Sequence, residues 1–448
     1  MLNGLYLTEA DSESYDNWFS QAYRIIHPDQ NLTKTSCKNI TLVVTEDCNF
    51  ACTYCYMHSK KPKRMTGKTA REIVDFILDE NLTNGYINPR ESPGVILDFI
   101  GGEPLLEIET INEFMEYFIY KSMKINHPWK DNYVISMSSN GSLYSSQKVQ
   151  DFVKKYKGRV HIGITIDGTR ELHDTCRVYK NGKGTYDDVI KGVQLRFRNG
   201  EHPSTKVTVA PENLKYLCDA ALHLFKTGYR FLHCNVVFEN VWNIDLAKLL
   251  YQELKKLADI IIGDSLYQKH YISMFSEYIG APLPHEENSN WCGGDGSMLA
   301  IGTDGVCYPC LRYMEYSFAN RDRKPMIIGN IYDGIMSVDE SEDLKCLNCI
   351  TRRSQSTDEC FNCSIGKGCA WCSAFNYDYF GTADKRTTFH CDMHKARVLA
   401  NVYFWNRLYD KLELDKCFEF HMPDEWALEI IDKEELSLLK NLSKAEVL

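Results

Sequence analysis

The stretch ITLVVTEDCNFACTYCYMH, Ile40–His58, carries two kinds of information. Its first six residues, Ile40–Thr45, form a short apolar and β-branched run that reads as a strand. Directly behind it stand Cys48, Cys52 and Cys55, spaced C-x3-C-x2-C. Three thiolates on one short loop suit three corners of a [4Fe–4S] cube and leave the fourth iron open to another molecule. Two other readings exist for the same residues. A zinc knuckle would pair cysteines across two to four residues and take two further ligands elsewhere; alternatively the three are unrelated core cysteines.

Outward from this stretch, strand and helix patterns alternate. Further strands are expected at Val95–Ile100, Tyr133–Met137, Val160–Ile166, Lys206–Ala210 and Phe231–Val237. Between the first two strands, Thr66 can cap a helix whose apolar positions Ile73, Val74, Ile77 and Leu78 recur at helical spacing. Leu214, Leu217, Ala221, Leu224 and Phe225 repeat the pattern after the fifth strand. This alternation predicts an α/β fold with a parallel sheet and right-handed crossovers. Six units fall short of a closed eight-unit barrel. Turn residues gather at the strand ends, in Gly101-Gly102-Glu103-Pro104, Ser139-Asn140-Gly141 and Asp167-Gly168. On that face of an α/β barrel they would line one cavity.

The bulk composition narrows the function classes. The 448 residues are 44% hydrophobic and 25% charged, as in a globular protein with ample chain for a core. Net charge is −10 and the one basic run, Lys60–Arg64, is short, which argues against nucleic acid as a partner. No apolar run approaches the ~18–20 residues of a membrane span, and the first residues lack a signal peptide's basic and apolar regions. A cytoplasmic location is therefore expected. There, 18 cysteines point to metal or catalytic use rather than disulfides.

The strand turns and the cysteine loop together resemble the radical S-adenosylmethionine (radical SAM) enzymes, over roughly Asn39–Val237. Gly101-Gly102-Glu103-Pro104 is similar to the family's GGEP turn, which contacts the methionyl amino group. Ser138 and Asn140, in SMSSNG, resemble the polar pair near the ribose. Thr165, Asp167 and Arg177, in TIDGTRELHDTCR, resemble the positions that hold the methionyl carboxylate, and Tyr54 the residue beside the adenine. The resemblance implies a partial (β/α)6 barrel in which Cys48, Cys52 and Cys55 hold one cluster. It further implies reductive cleavage of S-adenosylmethionine to a 5′-deoxyadenosyl radical that takes hydrogen from an unactivated carbon.

Farther along, CGGDGSMLAIGTDGVCYPC (Cys292–Cys310) and ECFNCSIGKGCAWC (Glu359–Cys372), followed by Cys391, resemble the SPASM extension of radical SAM enzymes that modify peptides and proteins. Two frames fit its G-x4-C element, Gly305 with Cys310 and Gly302 with Cys307. The first is preferred for its Asp304-Gly305 and Tyr308-Pro309-Cys310. The last spacing departs from the family, with x2 where x3 is commoner. The resemblance implies two auxiliary [4Fe–4S] clusters, so three in all. Cys360, Cys363, Cys369 and Cys391 would hold one. Cys292, Cys310 and Cys372 would hold the other, with Cys307, Cys346 and Cys349 as candidates for its fourth ligand, unless that corner stays open for a substrate thiolate. Zinc is the competing metal, since C-x2-C pairs suit it equally. Cys37, Cys176, Cys218, Cys234 and Cys417 read as buried apolar residues.

The segment Thr351–Thr382 resembles maturases of cysteine-repeat ribosomal peptides. The implied reaction is maturation of a ribosomal precursor peptide, most simply a thioether link between a cysteine sulfur and a carbon. The alternative is an anaerobic sulfatase-maturating, formylglycine-forming enzyme. In that group an Asp is expected directly after the SPASM cysteine, as base; here Leu311 follows Cys310 and Tyr308 follows Cys307. A non-enzymatic alternative is an iron–sulfur electron-transfer or binding scaffold. The expected partners are the precursor peptide and an electron donor such as flavodoxin or ferredoxin. A separate leader-binding protein is a further candidate, because only 47 residues precede Cys48. The expected divisions are an N-terminal segment (1–38), the radical SAM partial barrel (39–240), a helical bridge (241–286), the SPASM domain (287–395) and a C-terminal helical extension (396–448). No catalytic base stands out.

Overall fold

The structure is a computed structural model that describes residues 37–200, 204–290, 292, 294 and 298–444; most of the expected N-terminal segment lies outside these. All six expected strands are present: β1 (Cys37–Thr45), β2 (Gly94–Gly101), β3 (Tyr133–Ser139), β4 (Val160–Ile164), β5 (Ser204–Val209) and β6 (Phe231–Val236). Short strands follow: β7 (Tyr271–Ile272), β8 (Met298–Ile301), β9 (Val306–Tyr308), β10 (Gly329–Asn330) and β11 (Gly334–Ile335). The chain divides into two units. The first comprises Met1–Thr165, Arg177–His202 and Gly293–Cys349; the second comprises Ile166–Cys176, Pro203–Cys292 and Ile350–Leu448.

The first unit is built on an eight-stranded sheet in the order β11-β10-β9-β8-β1-β2-β3-β4. Pairs β1–β2, β2–β3 and β3–β4 are parallel, the α/β arrangement the alternating pattern predicts. On its other edge β1 pairs in parallel with β8, from Asn39 opposite Met298 to Leu42 opposite Ile301. Central placement explains the unbroken apolar run: Ile40, Leu42, Val43 and Val44 are all buried. Strands β8 to β11 then continue antiparallel, so late sequence completes the sheet that early sequence begins.

Helix Gly67–Ile77 starts where expected, with Thr66 Oγ1 accepting the Thr69 N–H at 3.1 Å and Ile73, Val74 and Ile77 buried. It packs beside helix Ile108–Lys124, whose Phe114 meets Phe99 of β2 edge to face at 5.2 Å.

The second unit holds the parallel sheet β5-β6-β7. The segment expected as a helical bridge contains helix Ile244–Gly263 and then β7, which joins the edge of β6. Helix Ile244–Gly263 packs on the long helix Cys391–Lys411. Polar groups inside that helix hold the neighbouring loops. Asn401 Oδ1 accepts the Ser276 N–H at 2.7 Å, and its Nδ2 donates to the Met274 carbonyl at 2.9 Å. Asn406 holds both backbone groups of Phe418. Beside them Phe275 stacks on Phe404 at 4.1 Å.

Because Asn401 is fully buried, removing its amide strands the Ser276 N–H, while the Met274 carbonyl keeps Arg397 Nε at 3.0 Å. Asn401→Ala is expected to cost about 1–3 kcal/mol, read as a lower denaturant midpoint. An unchanged midpoint would show that the loop finds other partners.

Candidate active site

The cysteine loop leaves β1 and is pinned at several places within the first unit. The Gly102 N–H donates to the Thr45 carbonyl and the Glu103 N–H to the Asp47 carbonyl, both at 3.0 Å. This approach needs both glycines. A Cβ on Gly101 would collide with the Thr45 carbonyl, and one on Gly102 with the Asp47 carbonyl and Cys48. On the other side Ala51 donates to the Val178 carbonyl at 2.8 Å, and Phe50 bridges Tyr179 through the backbone and packs on its ring at 5.1 Å. That bridge brings Arg177 to the loop. Its Nη1 lies 4.0 Å from Cys52 Sγ and its guanidinium lies over the Tyr54 ring at 5.4 Å.

Glu103 joins the two strand ends. It is 0% exposed. Its Oε1 accepts from Ser139 Oγ at 2.7 Å and from the Leu105 N–H at 3.0 Å, while Oε2 accepts the Asn140 N–H at 2.7 Å. Burial pushes its carboxyl up to about 7, against the pull of these hydrogen bonds and of Arg177. Asn140 then reaches the cysteine loop. Its Nδ2 donates to Asn49 Oδ1 at 2.8 Å and toward Cys48 Sγ at 3.9 Å, and Asn49 Nδ2 donates to Ser142 Oγ at 2.9 Å.

The cysteines themselves differ in setting. Cys48 is buried, which raises its thiol to about 11 despite the nearby Lys60, while Cys52 and Cys55 are partly exposed. Lys60 faces all three. Burial works to lower its ammonium, but Cys55, Cys48 and Cys52 outweigh it and hold the group above its ordinary range. Three sulfurs on one loop with Lys60 and Arg177 beside them are a donor set suited to an anionic, thiolate-held cluster.

The structure thus brings together Cys48, Cys52, Cys55, Tyr54, Gly101, Gly102, Glu103, Asn140 and Arg177. Pro104 starts the short helical turn after Glu103, and Thr165 N–H donates to the Ser139 carbonyl at 3.0 Å. Ser138 lies on β3 opposite Gly163. Asp167 belongs to the second unit, where its Oδ1 accepts the Thr208 N–H at 3.3 Å. Asn49 and Lys60 are not singled out as site residues by the sequence, and Ser139 enters there only within the Ser139-Asn140-Gly141 turn, without its role toward Glu103. Its inward placement could have been read, since strand alternation puts Ser139 on the buried face with Ile135 and Met137.

The later cysteines fall in both units. In the first, Cys307 is fully buried on β9, and Cys310 is buried at the start of the turn Leu311–Tyr313. Gly305, at φ +83°, has a left-handed backbone, and a Cβ there would meet Ile331 at 2.7 Å; Gly302 has no such φ. Cys346 and Cys349 lie on helix Glu342–Cys349. In the second unit, Cys292 Sγ lies 3.0 Å from Ser373 Oγ, and Cys372 precedes helix Ser373–Phe380.

Cys360, Cys363, Cys369 and Cys391 act on one another electrically. Desolvation raises the Cys369 thiol first, and the charges of Cys360 and Cys363 add to it. Cys391 is exposed as a residue, yet its surroundings push its thiol up to about 12, through desolvation and then Cys369 and Cys360. Among the described residues no three His, Cys, Asp or Glu side chains are set to hold a single metal ion. A four-iron cube separates its cysteines more widely than one ion does.

Two of the remaining cysteines correct the expectation of burial. Cys176 and Cys218 are buried and Cys234 is half-buried, but Cys37 and Cys417 are exposed. Cys37 begins the edge end of β1, and Cys417 lies in the turn region after the long helix, with Sγ 3.0 Å from the Ser443 carbonyl.

Residues 42–211 match the family model described as the radical SAM superfamily. Over these residues the chain carries a radical SAM domain, which implies S-adenosylmethionine and a [4Fe–4S] cluster. A cysteine-type anaerobic sulfatase-maturating enzyme of Clostridium novyi is 24% identical over 332 residues, 70% of this chain and 85% of the relative. The subtilosin biosynthesis protein AlbA of Bacillus subtilis is 22% identical over 285 residues, 62% of this chain and 56% of its own length. Among solved structures, native anSMEcpe with bound AdoMet superposes with TM-score 0.61 at 19% identity, covering 83% of this chain and 98% of that one. Streptococcus suis SuiB bound to the precursor peptide SuiA superposes with TM-score 0.52 at 12% identity, covering 86% and 82%. These last two establish likeness of fold. No helix among the described residues is long and apolar enough to cross a membrane.

The buried Glu103 gives the site a pH signature. Its carboxyl is raised from 4.5 to about 7 on folding, so the native state holds a proton that the unfolded chain has released between these values. Its contribution is fully present below about 4.5 and is lost as pH rises through about 7. Glu103→Gln is expected to flatten the fall of the denaturation midpoint across that window. An identical slope in the variant would remove Glu103 as its source.

Proposed function

We propose that the protein is a radical SAM maturase of a ribosomally made precursor peptide and that it forms a thioether link from a cysteine sulfur to a carbon. One observation carries the choice over sulfatase maturation. Where a base would follow Cys310, Leu311 packs with Tyr308 against an apolar cluster of Val43, Met57, Ile100, Ala300, Met314 and Tyr316. That position offers no proton acceptor. The peptide complex of SuiB and the bacteriocin-pathway relative AlbA support a peptide substrate.

In this reading Cys48, Cys52 and Cys55 hold the first cluster. Glu103, Asn140 and Arg177 shape the place of the cofactor's methionyl and ribose groups, with Ser138, Thr165 and Asp167 as the remaining cofactor residues and Tyr54 beside the adenine. When bound, cluster and cofactor supply a carbon-centred radical able to take hydrogen from an unactivated carbon. The residues do the rest of the positioning. Arg177, buried over Tyr54, offers a fixed cation for a carboxylate. The Asn140–Asn49 pair fixes the loop between the first two cysteines. The left-handed Gly305 supports the frame ending at Cys310. Two auxiliary clusters complete the reading, and a flavodoxin- or ferredoxin-type donor in the cytoplasm supplies electrons.

Reconstituted protein mixed with S-adenosylmethionine and dithionite is expected to release 5′-deoxyadenosine, and a chain acting only as a scaffold would release none. Co-expression with a small cysteine-rich peptide encoded nearby is expected to lower the peptide's mass by two hydrogens per link. Formylglycine formation on a sulfatase peptide, without that loss, would favour the alternative.

A further inference from the structure

Around Cys360 and Cys363 the second unit buries polar groups that find no partner. Arg352 Nε, Gln355 Nε2, Ser356 Oγ and Ser364 Oγ are all buried without a hydrogen bond, and all fall within Arg352–Ser364. Buried donors are normally satisfied, so four orphans in one short stretch call for an acceptor. Arg352 adds a charge to that demand. It is 3% exposed, and it donates to two carbonyls, Pro284 at 2.7 Å and Phe361 at 3.3 Å, rather than to a carboxylate. Its guanidinium lies 4.2 Å from the centre of the Phe361 ring, which fixes its plane. Burial disfavours this cation more than the nearby Glu287 carboxylate supports it.

A second cation stands at the same place. Arg386 is anchored through its backbone N–H to the Gln355 carbonyl at 3.0 Å. Its Nη2 reaches the Ala370 carbonyl, next to Cys369, at 3.5 Å, and its guanidinium lies over the Trp371 ring at 5.0 Å. Arg386 thus stands beside Cys369 through the Ala370 carbonyl, and Arg352 beside Cys360 through the Phe361 carbonyl. Neither arginine belongs to a cysteine motif.

A cube held by four thiolates is an anion whose sulfurs accept hydrogen bonds, and its potential follows net charge and those bonds. We propose that Arg352 and Arg386, with the side-chain hydrogens of Gln355, Ser356 and Ser364, surround the cluster held by Cys360, Cys363, Cys369 and Cys391 and raise its reduction potential. This rests on the reading of those four cysteines as cluster ligands given above. Two cations and polar hydrogens favour the more reduced, more negative cluster, so their removal lowers the potential. Zinc has no potential to tune and would leave the same cations without an electronic role.

The test is a redox titration of the reconstituted full-length protein followed by electron paramagnetic resonance, with iron counted per chain. The relevant signal is the one lost in Cys363→Ala. Arg386→Gln and Arg352→Gln are expected to shift its midpoint downward, Ser364→Ala to shift it less, and Arg386→Lys to restore most of the Arg386→Gln shift. Should an arginine variant shed the cluster, the Ser364→Ala shift decides. An unmoved midpoint in the variants that keep full iron overturns the proposal. A wild-type chain holding only about four irons, instead of about twelve, overturns the cluster at these cysteines. That failure is distinct, because it appears before any variant is made.

Discussion

Everything at the cysteine loop depends on one buried carboxylate. Glu103 takes three hydrogen bonds from the ends of two neighbouring strands, and through Asn140 it governs where Asn49 lies between Cys48 and Cys52. Desolvating a carboxylate is costly, and here burial outweighs the three donors, so the group holds its proton up to about 7. Losing Ser139 or the Asn140 turn would raise the cost of the charge further. The glycines before it serve the same end, letting the β2 turn press against the backbone that carries Cys48.

The two cysteine-bearing regions use different physics to hold thiols ready. At the first, a strand end and a tight backbone crossing fix the loop, while Lys60 and Arg177 supply charge. Just before and around Cys360 the helices Arg352–Gln355 and Asp358–Phe361 have four residues each and bury no apolar side chain. On the proposed reading of these cysteines as cluster ligands, a segment built this way gains its order from what they bind. The long helix beginning at Cys391 is the exception. Its buried asparagines and aromatic contacts tie Cys391 firmly to a packed core.

The sequence made the backbone of this arrangement legible where a pattern repeats. The six strands follow from short, largely apolar and β-branched runs, the Thr66 cap from a hydroxyl before a helical stripe, and the loop from its cysteine spacing. What it hid are single polar residues whose role depends on position alone. Ser139 and Asn49 look like ordinary strand and loop residues until Glu103 and Asn140 are placed around them. Arg352 and Arg386 are two arginines in polar segments, with nothing in the chain to mark one as buried. The pairing of β8 with β1 was equally unreadable, since parallel register between residues 39 and 298 has no local signature.

That pairing has a consequence for how the molecule comes into being. β1 is a central strand, yet one of its two neighbours lies some 260 residues later in the chain, as Asn39 opposite Met298 shows. Until β8 is synthesised, an apolar strand leading directly into the cysteine loop keeps one edge of unpaired amides and carbonyls. Such distant pairing is slow to form and leaves partly built chains prone to sticking. The nascent protein thus passes through a period in which its first thiols can be reached while its sheet is open, and closure waits until the chain through Ile301 has been made.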